Sequence, residues 1–296
     1  MIPFKEITLA DRELIQSYTL NSHRRNCDLS FSNLYSWRFL YHTVYAELDG
    51  FLLLRFYAGG ELAYMMPVGS GDLKAVLEAM IEDAQGEGQP FQMLGICTSM
   101  KEELEEVMPG RFEFSADRDY FDYIYLRSDL TTLKGKKYQP KRNHINRFKN
   151  TYPDYEYREL VPELVPECLK LEAEWCKTNN CAEDVALQAE RRSMTAALAH
   201  FEELGLRGGV LHVNGDIVAF TFGAPINNET FDVCVEKANT DVEGAYTMIN
   251  NEFALHIPEQ YIYINREEDL GLEGLRKAKL SYHPETLLEK CMAKLK

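Results

Sequence analysis

Residues 261–279 read Tyr261-Ile-Tyr-Ile-Asn-Arg-Glu-Glu-Asp-Leu-Gly-Leu-Glu-Gly-Leu-Arg-Lys-Ala-Lys279, an apolar run that leads into a dense cluster of charged side chains. The apolar run is typical of a buried β-strand, and Gly271 and Gly274 indicate a turn that enters a short helix. Polar groups gathered at the end of a buried strand are where α/β folds usually place their chemistry. The segment therefore predicts either a functional site or a solvated loop held by salt bridges, which has the same composition.

The rest of the chain predicts one order of elements that occurs twice. In the first half we expect helices over 5–20, 28–40, 72–84 and 101–108, and strands over 44–48, 51–57, 61–68, 91–96 and 121–126. In the second half we expect helices over 163–178, 182–204 and 244–256, and strands over 155–160, 210–213, 217–222, 231–237 and 261–264. The predicted fold class is α/β (α+β), with an N-terminal unit over 1–128, a basic connecting segment over 129–153 and a C-terminal unit over 154–296.

Bulk composition excludes several classes of protein. With 45% hydrophobic and 27% charged residues, the chain is an ordinary globular sequence and not a disordered one. No run approaches the roughly 18 apolar residues of a membrane span, and the first residues lack the features of a signal peptide, so we expect a soluble, cytoplasmic protein. The formal charge of −15 argues against a protein that coats nucleic acid with its whole surface.

The seven cysteines are scattered and include no Cys-x-x-Cys pair. A disulfide framework is therefore not expected in a chain of this length. Cys176 and Cys181 form the closest pair, but no second pair or His-x-x-x-His accompanies them, so we predict no metal site.

A basic segment separates the two halves, because no acidic residue occurs between Asp129 and Asp154. Within it, 141–150 is expected to be helical, with Pro140 in its first turn and a small apolar stripe of Ile145 and Phe148. The segment is either a solvated linker or a surface that faces phosphates. The second interpretation gives five candidates for nucleic-acid binding: Lys136, Lys137, Lys141, Arg142 and Arg147.

The order of elements resembles that of the GCN5-related N-acetyltransferases. Those enzymes usually hold the pyrophosphate of acyl-CoA at a helix N-terminus, in a loop that reads Gln/Arg-x-x-Gly-x-Gly/Ala. The matching loop here is Asp241-Val-Glu-Gly-Ala-Tyr246, where Gly244 fits the pattern. The carboxylates of Asp241 and Glu243 would repel a diphosphate. We therefore predict no cofactor, with acetyl-CoA less favoured than another acyl donor.

Four segments carry a second resemblance. Lys136-Lys-Tyr-Gln-Pro-Lys-Arg-Asn-His-Ile-Asn-Arg-Phe148 resembles the basic segment that joins the paired domains of Fem-type aminoacyltransferases. Asp232-Val-Cys-Val-Glu-Lys-Ala238, Ile249-Asn-Asn-Glu-Phe253 and 265–279 resemble an uncharacterised bacterial family that is similar to the C-terminal domain of phosphatidylglycerol lysyltransferases. The resemblance implies two tandem acetyltransferase-like domains and an aminoacyl donor carried on tRNA. It leaves the acceptor open, as an amine or hydroxyl of a lipid or peptide-like molecule, because the lysyltransferases have a membrane region that this sequence does not show.

Aminoacyl transfer needs a group that accepts a proton, a group that stabilises an oxyanion, and recognition of the donor's amino group. On the strand over 231–237, alternation predicts that Asp232, Cys234 and Glu236 share one face. We predict that Glu236 or Asp269 contacts the amino group. We also predict that Arg266, Arg276 or Lys279 binds phosphate or stabilises the oxyanion. The predicted catalytic residues are Glu236, Asp269 and Arg276. The further candidates for substrate binding are Asp232, Lys237, Asn250, Glu252, Asn265, Arg266, Glu267, Lys279 and Tyr282.

The sequence predicts an acyltransferase, with aminoacyl-tRNA as the expected co-substrate. Two other functions stay open. The first is an acyl-CoA-dependent N-acyltransferase, which the loop over 241–246 disfavours. The second is a non-catalytic module that binds RNA or an acidic partner through the basic segment, in which the acids at 267–269 would be structural.

Overall fold

The computed structural model describes residues 2–296. Its strands are β1 (Lys5–Glu6), β2 (Val44–Leu48), β3 (Phe51–Ala58), β4 (Glu61–Tyr64), β5 (Val68–Gly69), β6 (Gln92–Ile96), β7 (Phe112–Ala116), β8 (Asp122–Leu126), β9 (Glu156–Glu159), β10 (Arg207–Val213), β11 (Asp216–Pro225), β12 (Thr230–Ala238), β13 (Tyr263–Asn265), β14 (Thr286–Leu288) and β15 (Cys291–Leu295). Its α-helices are α1 (Arg12–Thr19), α2 (Phe31–Ser36), α3 (Arg38–Tyr41), α4 (Leu73–Gly86), α5 (Thr98–Val107), α6 (Arg127–Thr132), α7 (Gln139–Thr151), α8 (Val165–Thr178), α9 (Val185–Ala199), α10 (Ala245–His256) and α11 (Glu273–Leu280).

The strands form two mixed sheets, each flanked by helices. The first has the order β1-β2-β3-β4-β6-β15-β7, with β5 also paired to β3, and the second has the order β14-β8-β13-β12-β11-β10-β9. Each sheet contains one parallel pair, β4 with β6 and β12 with β13, among antiparallel neighbours. The predicted fold class, α/β (α+β) with two mixed and mostly antiparallel sheets flanked by helices, is confirmed.

The two sheets exchange strands between the halves of the chain. Strand β8, which precedes the basic segment, lies in the second sheet between β13 and β14. Strand β15, near the other end of the sequence, lies in the first sheet between β6 and β7. The division at 1–128, 129–153 and 154–296 thus remains a prediction about the order of units along the chain. Each sheet also contains one strand from the other unit, β8 in the second sheet and β15 in the first.

Helix α7 occupies most of the basic segment, and its packing follows from its sequence. Pro140 lies in its first turn, where a missing N–H costs no intrahelical bond. Ile145 and Phe148 are buried, as the predicted apolar stripe requires, and α7 packs on α10 of the second sheet. The segment is therefore a docked helix and not a free linker.

Some local predictions are wrong, for identifiable reasons. The helix expected over 28–40 is broken into a 3-10 turn, α2 and α3, and the strands β7, β14 and β15 were not expected because their short runs lack clear alternation. Helix α9 begins at Val185 because 181–183 form a 3-10 turn. A disulfide joins Cys176 to Cys181, whereas the sequence does not predict a disulfide framework. Within residues 2–296, no helix is both long and apolar enough to cross a membrane.

Lys290 lies directly before β15 and contacts the start of β8, so it connects the two strands that are exchanged between the sheets. Its ammonium lies 2.8 Å from a carboxylate oxygen of Asp122 at the start of β8 and 3.1 Å from Asp28, and it also contacts Glu268. The side chains of Lys290 and Asp122 are only 5% and 0% exposed. Burial raises the pKa of Asp122 to about 6, although Lys290 opposes that shift. Burial lowers the pKa of Lys290, but Asp122 and Asp28 outweigh it and hold that pKa well above its ordinary value.

We expect Lys290→Met to destabilise the protein by about 3–5 kcal/mol at pH 7, because it leaves buried carboxylates without their cation. Urea unfolding would measure the loss, which should be smaller at pH 4, because Asp122, whose pKa is raised to about 6, takes up a proton. The control is Lys294→Met on the adjoining strand β15, whose exposed side chain should change the free energy of unfolding by less than about 0.5 kcal/mol. Equal stability of the two variants would contradict this role of Lys290.

Candidate functional site

A gap opens where the parallel strands β12 and β13 separate. They pair only between Thr230–Asp232 and Tyr263–Asn265, after which β12 continues to Ala238 with β11 as its neighbour on the other side. The chain leaves β13 through Glu267, which adopts a left-handed backbone with φ of 56°. The side-chain oxygen of Asn265 accepts the Glu267 N–H at 2.7 Å and so holds this turn. Residues 265–268 therefore lie across the gap from the second half of β12.

A β-bulge in β12 changes which residues share a face. The pairing with β11 shifts between Phe222 and Gly223, so one extra residue of β12 is inserted near Cys234. Asp232 consequently faces α2, whereas Glu236 faces α10, where it accepts a hydrogen bond from Asn250. The prediction that Asp232, Cys234 and Glu236 lie on one face is wrong for Glu236, since simple alternation does not continue past a bulge.

On the α2 side of the sheet lies a group of acids that we call the acidic group: Asp232, Glu267 and Cys234, bridged by Asn33. The Asn33 amide donates to Asp232 at 3.0 Å and to Glu267 at 2.8 Å. The Cys234 thiol donates to Asp232 at 3.5 Å. One ligand atom from each of the three acidic-group residues lies within 4.8 Å of the others. This arrangement concentrates negative charge at the bottom of the gap.

The acidic group lacks an ion-pair partner in the part of the chain that the structure describes. Neither Asp232 nor Glu267 forms a salt bridge within residues 2–296, and one oxygen of the fully buried Asp232 has no hydrogen-bond partner in that range. Burial, and then the charge of Glu268, raises the pKa of Glu267 to about 8. Burial, and then Glu267, raises the pKa of Asp232 well above its ordinary value. The group therefore suits a bound cation, either an ammonium or a metal ion.

On the α10 side lies a second group, which we call the cationic group: Lys141, Arg266, Glu236, Asn250 and Tyr282. Arg266 and Glu236 form an ion pair at 2.9 Å, with side chains 11% and 13% exposed. The Lys141 ammonium lies 3.7 Å from the ring centre of Tyr282, and the Arg266 guanidinium lies 4.9 Å from the same centre. Burial, and then the charge of Arg266, lowers the pKa of Lys141 to about 8.

Asp269 and Arg276 lie together and form an ion pair with each other. The fully buried Asp269 accepts from Arg276 at 2.7 and 2.9 Å and from the Gly271 N–H at 2.9 Å. Burial opposes ionisation, yet the hydrogen bonds from Arg276 and Tyr123 hold the pKa of Asp269 well below its usual range. This pair fixes the loop that follows β13, and a catalytic role for either residue stays a prediction.

The other predicted substrate-binding residues have structural contacts. The Lys279 ammonium donates to the carbonyl of Arg266 at 2.6 Å, and the Asn265 amide donates to Asp122 at 2.8 Å, so both residues hold the same loop. Lys237 pairs with Glu190 at 2.5 Å. Glu252 accepts from Tyr155 at 3.2 Å, away from both groups. Roles for these four in binding substrate also stay predictions.

The five basic candidates divide into four kinds. Lys137 pairs with Asp129 at 3.6 Å, and Arg147 pairs with Glu243. Arg142 donates to the carbonyls of Leu133 and Gly135, so it braces the turn before α7. Lys136 is exposed, and Lys141 belongs to the cationic group. The structure thus brings only Lys141 to the gap, and phosphate binding by the other four stays a prediction.

The N-terminus of α10 is covered by α7. A Cβ atom at Gly244 would lie 3.2 Å from the carbonyl oxygen of His144 and 3.3 Å from Phe148. The neighbouring Glu243 is turned towards Arg147 of the same helix. The place where an acyl-CoA pyrophosphate would bind in an acetyltransferase is therefore filled by protein and carries a carboxylate.

Sequence analysis missed Asn33, which joins the two carboxylates of the acidic group. It lies on α2, in an aromatic segment that indicates core packing, and it is 234 residues from Glu267. No local pattern could have found that contact. The acids and the lysine around Lys290 were missed for the same reason, since they come from four distant segments.

Comparison with known proteins gives one family. The family described as "Phosphatidylglycerol lysyltransferase, C-terminal" matches residues 20–294, which confirms the resemblance seen in the sequence. An uncharacterised protein of Mycoplasmoides gallisepticum is 24% identical over 176 residues, which are 59% of this chain and 56% of that protein. The chain thus matches little more than half the length of this curated relative.

Solved structures give the same result for the fold. A conserved protein of unknown function from Bacteroides thetaiotaomicron is 67% identical, with a TM-score of 0.98 and complete coverage of both chains. The C-terminal domain of a putative lysylphosphatidylglycerol synthetase from Agrobacterium fabrum has a TM-score of 0.70 at 14% identity, and covers 97% of this chain and 92% of its own. L-PGS from Bacillus licheniformis has a TM-score of 0.65 at 16% identity, covering 96% and 92%. At these identities the last two show a shared fold.

We expect Glu267→Gln to stabilise the protein at pH 8 by about 1–3 kcal/mol more than it does at pH 4. The folded-state pKa of Glu267 is raised, so the wild type loses stability as pH rises from its unfolded value of 4.5 to about 8, and a neutral amide avoids that loss. Urea unfolding at both pH values measures the difference. The exposed Glu259→Gln is the control, and an equal effect of Glu267→Gln at the two pH values would refute the prediction.

Proposed function

The chain belongs to the family of the phosphatidylglycerol lysyltransferase C-terminal domain, and from this we propose that it transfers an aminoacyl group from a tRNA to an acceptor. The acceptor supplies an amine or a hydroxyl and is a lipid or peptide-like molecule. The family and the acceptor chemistry support an acyltransferase, and the choice of donor rests on the site.

The observation that carries the proposal is the acidic group without a counter-ion. The fully buried Asp232 and the half-buried Glu267 approach each other near β12, and neither forms a salt bridge among residues 2–296. Such a site costs stability unless a positive group completes it. An aminoacyl ester carries an α-ammonium next to the reacting carbonyl, whereas the acetyl group of acetyl-CoA carries no charge. The acidic group therefore favours an aminoacyl donor.

Two further observations support RNA over CoA as the carrier. The N-terminus of α10 is covered by α7 and carries Glu243, which disfavours a pyrophosphate there. The exposed Lys136 precedes α7 on the same side of the sheet as the cationic group, where it can meet RNA phosphates. A tRNA donor also places the reaction in the cytoplasm, which is a prediction in its own right.

The reaction balances without a cofactor. The acceptor's nitrogen or oxygen forms a bond to the ester carbonyl carbon, and the bond between that carbon and the ribose oxygen breaks. The acceptor's proton finishes on the ribose hydroxyl. Glu267, with a pKa of about 8, can exchange a proton near neutral pH, and the bound ammonium lowers that pKa and favours the carboxylate.

Wild-type protein should move radiolabelled amino acid from a mixture of charged tRNAs to a lipid or peptide fraction. Asp232→Asn should lower the rate by about 100-fold or more, because it removes a charge that positions the donor. Asp216→Asn, at the exposed first residue of β11, is the matched control and should keep the wild-type rate. The readout is acid-precipitable label lost from tRNA together with label gained by the acceptor fraction.

Two outcomes would reject the proposal. Label that stays on tRNA with every acceptor fraction, while the tRNA still binds, supports the non-catalytic module. Transfer that EDTA abolishes would assign the acidic group to a metal ion instead of an ammonium.

A further inference from the structure

We propose that the cationic group is a binding site for a phosphate of the donor's 3′-terminal nucleotide, with Lys141 and Arg266 as its ligands. The inference rests on the proposed function, because it assigns the anion to the RNA that carries the amino acid. The proposal gives Lys141 a specific role that the exposed basic residues of the same segment do not have.

The charges in this group do not cancel. Lys141 and Arg266 supply two cations, and Glu236 is the one carboxylate that contacts either of them among residues 2–296. Glu236 is itself shared with the Asn250 amide, which donates to it at 3.0 Å. A half-buried site with one excess positive charge favours an anion of one negative charge, such as a phosphodiester.

One donor in the group is left without a partner among the described residues. One terminal nitrogen of Arg266 is buried and forms no hydrogen bond there. The Lys141 ammonium rests on the ring of Tyr282 and forms no salt bridge there. Buried donors without acceptors are costly, and an oxyanion would satisfy the Arg266 nitrogen and the lysine together.

The position of the group favours a phosphate over the reacting oxyanion. Arg266 and Glu267 are adjacent, and their side chains leave towards opposite sides of the sheet, which places their charges on the order of 10 Å apart. In an aminoacyl ester, a single carbon separates the ammonium from the carbonyl. The phosphate of the terminal nucleotide lies beyond the ribose. If the acidic group holds the ammonium, the cationic group is at the distance of the phosphate.

The test is binding of the dinucleotide cytidylyl-(3′,5′)-adenosine, with adenosine as the probe that lacks a phosphate. We expect the dinucleotide to bind wild-type protein at least tenfold more tightly than adenosine does. Lys141→Met should remove that difference, and Lys141→Arg should keep most of it. Lys149→Met is the matched control, since Lys149 is an exposed lysine on the same helix, and should bind like wild type.

The pH dependence tests the same site without relying on a variant that folds poorly. Lys141 is charged only below a pKa of about 8, so dinucleotide affinity should fall between pH 7 and pH 9 in wild type and not in Lys141→Arg. A lysine with a merely structural role would not link affinity to pH in this way. Equal binding of the two probes, or a dinucleotide affinity that Lys141→Met leaves unchanged, overturns the inference.

Failure of this inference is distinguishable from failure of the proposed function. Aminoacyl transfer by wild-type protein, with unchanged dinucleotide binding in Lys141→Met, rejects the phosphate site and leaves the function standing. Phosphate-dependent binding that Lys141→Met removes, without transfer of any amino acid, supports the site and rejects the function.

Discussion

The buried contact of Lys290 with Asp122, Asp28 and Glu268 is the interaction on which the site depends. It connects the segment before α2, the start of β8, the loop after β13 and the residue before β15. Asp122 also accepts hydrogen bonds from the Cys27 N–H and the Asn265 amide, each at 2.8 Å. Because the segment before α2 and the loop after β13 are both attached to this cluster, the ammonium of one lysine fixes where Asn33 and Glu267 can meet.

Around that fixed point, the end of the second sheet keeps opposite charges apart. The acidic group lies on the α2 side and the cationic group lies on the α10 side, with the backbone of 266–267 between them. If the two groups were in contact, they would neutralise each other as Asp269 and Arg276 do. The bulge near Cys234 maintains the separation, because it turns Glu236 away from Asp232 and towards Arg266. The backbone geometry therefore places the acidic group and the cationic group on opposite sides of the sheet.

Much of the fold could be predicted from local patterns, whereas the site could be predicted only as a set of residues. The hydrophobic periodicity of α4 and α10 and the turn residues of the meander β10–β12 predict elements that the structure contains. The stretch 265–279 was correctly singled out as the place where polar groups gather. Its internal division was not predictable, because Asp269 finds Arg276 nearby while Glu267 finds Asn33 at a separation of 234 residues. The bulge in β12 could not be predicted from the alternation of side chains along the strand. The exchange of β8 and β15 depends on pairing between strands that are distant in sequence, which no local pattern predicts.

The place of β15 affects how the chain folds as it is synthesised. In the first sheet β7 is joined to β6 only through β15, so that sheet has a missing strand until residues 291–295 have left the ribosome. Until then β6 and β7 expose unpaired N–H and C=O groups, which can pair with strands of other chains. The first half of the protein therefore cannot complete its sheet before β15 is available.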